Sequence, residues 1–103
     1  MDRSVYRYRF TRSVSMQEVE QSLLLAILAV ECLHGASPVR LDARYSLTEE
    51  KRACVIDATT GVGEDLNRIF TGFVIKEFGE DAFSVRRIAT AGQAGEVAQG
   101  TTE

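Results

Sequence analysis

One helix in the first third of the chain is marked at both ends, and it constrains the fold more than any other feature. Ser15 is followed three residues later by Glu18, the spacing of a capping box that satisfies free N–H groups where a helix begins. Gly35 suits the left-handed residue that closes a helix, and Pro38 follows it. The sequence therefore predicts a helix from the Ser15 cap to about residue 33.

Four segments alternate apolar and polar residues with period two, the pattern of a strand with one buried face. They are residues 4–10, 39–47, 52–58 and a short last segment that contains Phe83 and Val85. A short polar connection separates the second segment from the third. We therefore expect these two strands to form a hairpin.

A second helix is predicted after a turn at residues 59–63. Glu64 and Asp65 open this helix, where acidic side chains offset the helix dipole. The apolar residues that follow recur at the spacing of an amphipathic stripe: Leu66, Ile69, Phe70, Phe73 and Val74. Gly79 is its natural end.

The element order β-α-β-β-α-β predicts an α+β fold, a ferredoxin-like sandwich with a four-stranded antiparallel sheet and two helices on one face. Right-handed crossovers place both helices on the same side of the sheet. The side chains expected to face the helices are Tyr6, Tyr8, Phe10, Leu41, Tyr45, Ile56, Phe83 and Val85. The resemblance is one of architecture, and so widely used a fold does not indicate a function.

Length and composition are those of one small globular domain, with 103 residues of which 45% are hydrophobic and 26% charged. We expect a single domain over residues 1–88 and a flexible C-terminal tail over residues 89–103, where periodicity is lost. The net charge of −3 argues against nucleic-acid or membrane-surface binding. The longest apolar run, residues 23–30, is too short to span a bilayer, and a cytoplasmic location is expected.

The first helix carries more apolar surface than one core requires. Its inward stripe is predicted to contain Val19, Leu23, Ala26, Ile27, Val30 and Leu33. Leu24, Leu25, Leu28 and Cys32 fall on the far side. An apolar patch of this kind marks a contact surface, so we expect these four residues to bind a second copy of the chain or another protein. The alternatives are that the tail or a loop covers the patch, or that its leucines are simply tolerated.

Five arginines are expected on the open face of the sheet, away from the helices: Arg7, Arg9, Arg40, Arg44 and Arg86. Guanidinium groups bind phosphates and carboxylates bidentately, which makes this face a candidate site for a small anionic ligand. The alternative is a solvated surface with weak cross-strand pairs to Asp42 and Asp57. Single-stranded RNA is not expected, because RNA-binding sheets stack bases on exposed aromatic residues, and those of the first strand alternate onto the core face.

The sequence shows no constellation for catalysis, a metal or a cofactor. Cys32 and His34 are two residues apart on a helix and point to different sides, and with Cys54 they match no zinc pattern. We expect both cysteines to be reduced. The sequence therefore predicts a non-enzymatic protein-interaction module, either homo-oligomeric or a small subunit of a larger assembly. A regulatory domain that binds a small anionic ligand is the alternative, and an enzyme ranks last.

Overall fold

The computed structural model describes residues 4–88, which form four strands and three α-helices. In chain order these are β1 (Val5–Phe10), α1 (Met16–His34), α2 (Ala36–Asp42), β2 (Arg44–Thr48), β3 (Ala53–Asp57), α3 (Gly61–Phe78) and β4 (Phe83–Arg87), with a 3-10 turn at Glu80–Ala82. The tail predicted over residues 89–103 and the first three residues of the predicted domain lie outside the described residues.

The four strands form one antiparallel sheet in the order β2-β3-β1-β4. β1 is central and pairs with both β3 and β4, while β2 pairs with β3 at one edge. The predicted α+β class, the four-stranded antiparallel sheet and the hairpin between β2 and β3 are therefore confirmed.

All three helices contribute to a single hydrophobic core on one face of the sheet. Tyr8 and Ile56, from the two central strands, are almost completely buried. Phe70 of α3 meets the Tyr8 ring edge-on, with the ring centroids 5.0 Å apart. We call the opposite side of the sheet the open face, since the helices pack on the side that Tyr8 presents.

The signals read at both ends of α1 are confirmed. The Ser15 hydroxyl accepts a hydrogen bond from the backbone N–H of Glu18. Gly35 closes the helix at φ 91°, and its N–H donates to the carbonyl of Glu31. One inward position is wrong: Leu33 is 67% exposed, because it lies in the last turn at the margin of the buried stripe.

The prediction of a strand over residues 39–47 is wrong in its first half. Residues 36–42 form α2, and pairing in the sheet begins only at Arg44. Pro38 does not prevent this helix, because it occupies the first turn, where backbone N–H groups have no helical acceptor. As a result, Leu41 is 69% exposed on α2 instead of facing the helices. Arg40 also lies on α2 and not on the sheet.

Tyr45 and Val85 lie on the helix-facing side of the sheet but are not buried. The strand register places Tyr45 beside Ile56 and Val85 beside Tyr8. Their exposed fractions are 45% and 44%, because β2 and β4 are the edge strands and the helices pack over the centre.

The third helix begins three residues earlier than predicted, inside the glycine turn. The Thr60 hydroxyl caps it by accepting a hydrogen bond from the N–H of Gly63 at 3.0 Å. A Cβ atom at Gly63 would stand 2.1 Å from the carbonyl oxygen of Asp57. The close approach of α3 to the end of β3 therefore requires glycine at this position.

Candidate functional site

Leu24, Leu25, Leu28 and Cys32, which we call the leucine face, lie on the outer side of α1. The three leucines are between 56% and 58% exposed, and Cys32 is also exposed. Residues on the inner side of the same helix, such as Val19 and Val30, are fully buried. The outer side of α1 is thus an exposed apolar surface, in addition to the buried side that faces the core.

A depression of about 240 Å³ lies beside this face, where α1, α2 and β2 meet. The residues that line it are Ile27, Glu31, Val39, Arg40, Ala43 and Tyr45. Arg40, predicted to join the other arginines on the sheet, therefore belongs to the helical side of the molecule. The sequence did not reveal this depression, because α2 was not predicted.

Three of the five predicted arginines come together on the open face. Arg7, Arg9 and Arg86 line a depression of about 170 Å³ together with Ser84. Arg7 stands directly opposite Arg86 in the pairing of β1 with β4, and Arg9 stands opposite Ser84. We call these four residues the arginine pocket. Ser84 was not among the predicted site residues, although its alternation with Val85 places it on this face.

Arg44 lies on the open face but outside the arginine pocket. It is on β2, at the other side of the sheet, and stands opposite Asp57 of β3 in the strand pairing. Opposite charges at directly paired positions stabilise a sheet modestly. The position of Arg44 therefore has a local structural explanation in its pairing with Asp57.

The cysteines and the histidine do not form a common site. Cys54 is fully buried, and burial raises the pKa of its thiol from 9.0 to about 12, which keeps it protonated and unreactive. His34 Nε2 lies 2.7 Å from Asp65 Oδ2 and so links α1 to α3. Within residues 4–88, no three Cys, His, Asp or Glu side chains are grouped closely enough to hold a metal ion.

Comparison with known proteins finds no matching family model, no matching curated protein and no matching solved structure. In the described part of the chain, every helix is too short or too polar to cross a bilayer.

Proposed function

We propose that this protein is an interaction module that pairs with a second copy of itself through the leucine face of α1. The observation that carries the proposal is the exposure of Leu24, Leu25 and Leu28, each more than half accessible on one side of a helix whose other side is buried. Complete burial of an apolar side chain of this size is worth about 1.5–3 kcal/mol, of which roughly half is still to be gained against a partner because each leucine is already almost half buried.

The spacing of the leucine face suits a two-fold symmetric pair. Leu24, Leu28 and Cys32 are four residues apart and form one line along the helix. A two-fold axis near Leu28 places Leu28 against its own copy and Leu24 against Cys32 of the second copy. Such self-complementarity is what an isologous interface needs.

The charges around the leucine face also favour an antiparallel pair. The first turns of α1 carry Glu18 and Glu20, whereas α2, just beyond its other end, carries Arg40. Antiparallel packing brings Glu18 and Glu20 of each copy towards Arg40 of the other copy, which lines the depression together with Glu31 of its own chain. Complementary charges at the rim of an interface set its register and orientation.

The helical side of the molecule is large enough for a stable contact. The molecule measures 34 × 33 × 19 Å, so its broad side exceeds the ~800 Å² that each partner buries in a standard interface. The packing of two α1 helices forms the centre of that contact, and the neighbouring depression lies at its rim.

We further infer that the fold is of the ferredoxin-like class. Two features support this assignment: the strand order β2-β3-β1-β4, and two helical crossovers, each of which connects strands separated by one antiparallel neighbour. On this assignment α2 is an addition to the first crossover, inserted between α1 and β2.

Light scattering during size exclusion tests the pairing. We expect wild-type protein to elute with twice the mass of one chain at high concentration, and Leu28→Glu to elute as a monomer, because a buried carboxylate has no partner at the symmetry axis. Val85→Glu is the matched control, since it replaces an exposed apolar residue on the far edge strand and leaves the dimer intact. A monomeric wild type at all concentrations, or an unchanged Leu28→Glu dimer, contradicts the proposal.

Disulfide trapping tests the orientation. In the antiparallel pair the two Cys32 residues are ~12 Å apart along the helices, beyond the reach of a disulfide. Leu24→Cys, by contrast, stands against Cys32 of the second copy. We expect mild oxidation to trap Leu24→Cys as a covalent dimer while wild type stays unlinked. Efficient linking of wild type through Cys32, with no gain from Leu24→Cys, would show that the helices pair in parallel.

A further inference from the structure

We propose that the outer edge of β4, which we call the β4 edge, binds an extended acidic segment of another protein as an added strand of the sheet. This goes beyond self-association, because the site lies on the sheet and the leucine face lies on α1. β4 pairs with β1 on one side, and among residues 4–88 no strand covers its other side. An exposed sheet edge accepts an extended peptide through main-chain hydrogen bonds.

The strand pairing determines which backbone groups of β4 point outwards. The N–H of Ile88 donates to the carbonyl of Val5 at 2.7 Å, and the N–H of Thr11 donates to the carbonyl of Ala82 at 2.9 Å. Even-numbered positions of this segment therefore bond to β1. Because the pairs of an antiparallel ladder alternate, the N–H and C=O groups of the odd-numbered positions point away from β1. These positions are Phe83, Val85 and Arg87.

The side chains of the β4 edge are accessible and basic. Ser84, Val85, Arg86 and Arg87 are all exposed. Arg86 lies on the open face and Arg87 on the helix-facing side, so an added strand meets a positive charge on both of its faces. The strand contains no acidic residue. On a chain with a net charge of −3, the β4 edge is a local basic surface, complementary to an acidic partner.

The same charges argue against a second copy of the chain as the occupant. Two β4 edges paired with each other would bring four arginines together, Arg86 and Arg87 from each copy. Like charges destabilise neighbouring strands, and charged side chains on edge strands prevent association between copies. An acidic strand turns the same two residues into attractive contacts.

The charge pattern along the β4 edge defines the partner further. Glu80 and Asp81 precede the strand, so the charge changes from negative to positive along it. An antiparallel added strand fits best with two acidic residues beside Arg87 and Arg86 and with a basic residue at its other end. An apolar residue between them covers Val85, which is 44% exposed on the helix-facing side. The expected pattern is acidic, acidic, apolar, any residue, apolar, basic.

Titration of the full chain with the end-blocked peptide Glu-Glu-Val-Thr-Val-Lys at low ionic strength, followed by NMR of the backbone amides, tests this site. We expect saturable shifts at the outward amides of Val85 and Arg87. The double variant Arg86→Gln, Arg87→Gln should weaken binding about tenfold, because two cross-strand charge pairs are lost. Both side chains are exposed, so this variant keeps its fold.

The double variant Arg68→Gln, Lys76→Gln is the matched control. It removes the same charge from exposed positions of α3, and its affinity should stay within about twofold of wild type. Leu28→Glu should bind the peptide as wild type does, which separates this site from the proposed pairing.

Two control peptides separate strand addition from attraction of charge alone. A peptide that is N-methylated at the amides facing β4 keeps its charges but loses its main-chain hydrogen bonds, and we expect it not to bind. The charge-reversed peptide Lys-Lys-Val-Thr-Val-Glu should bind at least about tenfold more weakly than the acidic peptide.

Four results would overturn the proposal. They are an absence of saturable shifts in wild type, shifts on β2 instead of β4, equal binding of the N-methylated peptide, and an equal loss of affinity in the α3 control. A fifth concerns the chain before peptide is added: nuclear Overhauser contacts from the Val85 and Arg87 amides to residues 89–103, or to a second copy, would show that the β4 edge has a different occupant.

Discussion

Arg52 shows how one side chain can hold two connections together. It lies in the turn between β2 and β3 and adopts φ 52°, in the left-handed region that side chains rarely occupy. Its Nε donates to the carbonyl of Phe10, and its Nη2 donates to the carbonyls of Thr11 and Val14. The guanidinium group therefore fixes the segment that joins β1 to α1, and these hydrogen bonds offset the backbone cost.

Substitutions at Arg52 separate the two effects. Arg52→Ala loses the hydrogen bonds and keeps the unfavourable φ, so we expect the free energy of unfolding to fall by about 2–3 kcal/mol. In Arg52→Gly the free energy of unfolding should fall by about 1 kcal/mol less, because glycine adopts this conformation without strain. Urea denaturation measures both, with the exposed Lys51→Ala as a control that changes little. A glycine variant less stable than the alanine variant would show that φ carries no cost here.

At the scale of elements, two of the three glycines of α3 have opposite roles. Gly63 faces the carbonyl oxygen of Asp57, whereas no atom lies within 4 Å of a Cβ built at Gly72. We expect Gly72→Ala to raise the free energy of unfolding by about 0.5–1 kcal/mol through helix propensity. Gly63→Ala should lower it by more than about 1 kcal/mol, because α3 must move away from β3. Thermal unfolding of both variants checks the signs, and two shifts in the same direction would contradict this assignment.

The sequence predicted the elements whose limits are set by local chemistry. The cap at Ser15 and the closing Gly35 are local signals, and α1 lies where they indicate. The helix at Ala36–Asp42 has no such signal: no side chain caps it, and Val39 and Leu41 fit a strand as well as one turn of helix. Its formation depends on the packing of Val39 into the core, which is tertiary information.

The same distinction explains which site residues were placed correctly. Period-two alternation puts Arg7, Arg9 and Arg86 on one face, because the segments that contain them do form strands. Arg40 was misplaced because its segment is helical. That Arg44 falls outside the pocket depends on the strand order, which alternation within a strand does not determine.

On the scale of the whole molecule, two titratable groups lie in the core shared by the sheet and helices. The Tyr8 hydroxyl stands 2.5 Å from both Asn67 Oδ1 and Thr71 Oγ1. Burial raises the pKa of Tyr8 from 10.0 to about 12, although the hydrogen bond with Thr71 opposes this in part. The pKa of Cys54 is raised to the same value by burial. Both groups stay protonated in the folded chain at pH values where the unfolded chain loses the protons.

Stability should therefore fall in alkaline solution. Below about pH 9 both groups are protonated in either state, and their full contribution is present. Between pH 9 and 12 the unfolded chain binds fewer protons, so the free energy of unfolding falls by up to about 1.4 kcal/mol per pH unit for each group. Urea denaturation across this range measures the slope. Cys54→Ala should make the slope shallower from about pH 9, and Tyr8→Phe should do so only above about pH 10. Slopes that are unchanged in both variants would contradict the assignment of the alkaline loss of stability to these two groups.

In a symmetric pair, the two-layer arrangement would determine which surfaces stay exposed. If the helical layers form the contact, both sheets face outwards, and the pair carries two arginine pockets that point away from each other. One small molecule cannot reach both. Each copy in such a pair therefore keeps its own sheet surface, which the contact between the helical layers neither covers nor shares.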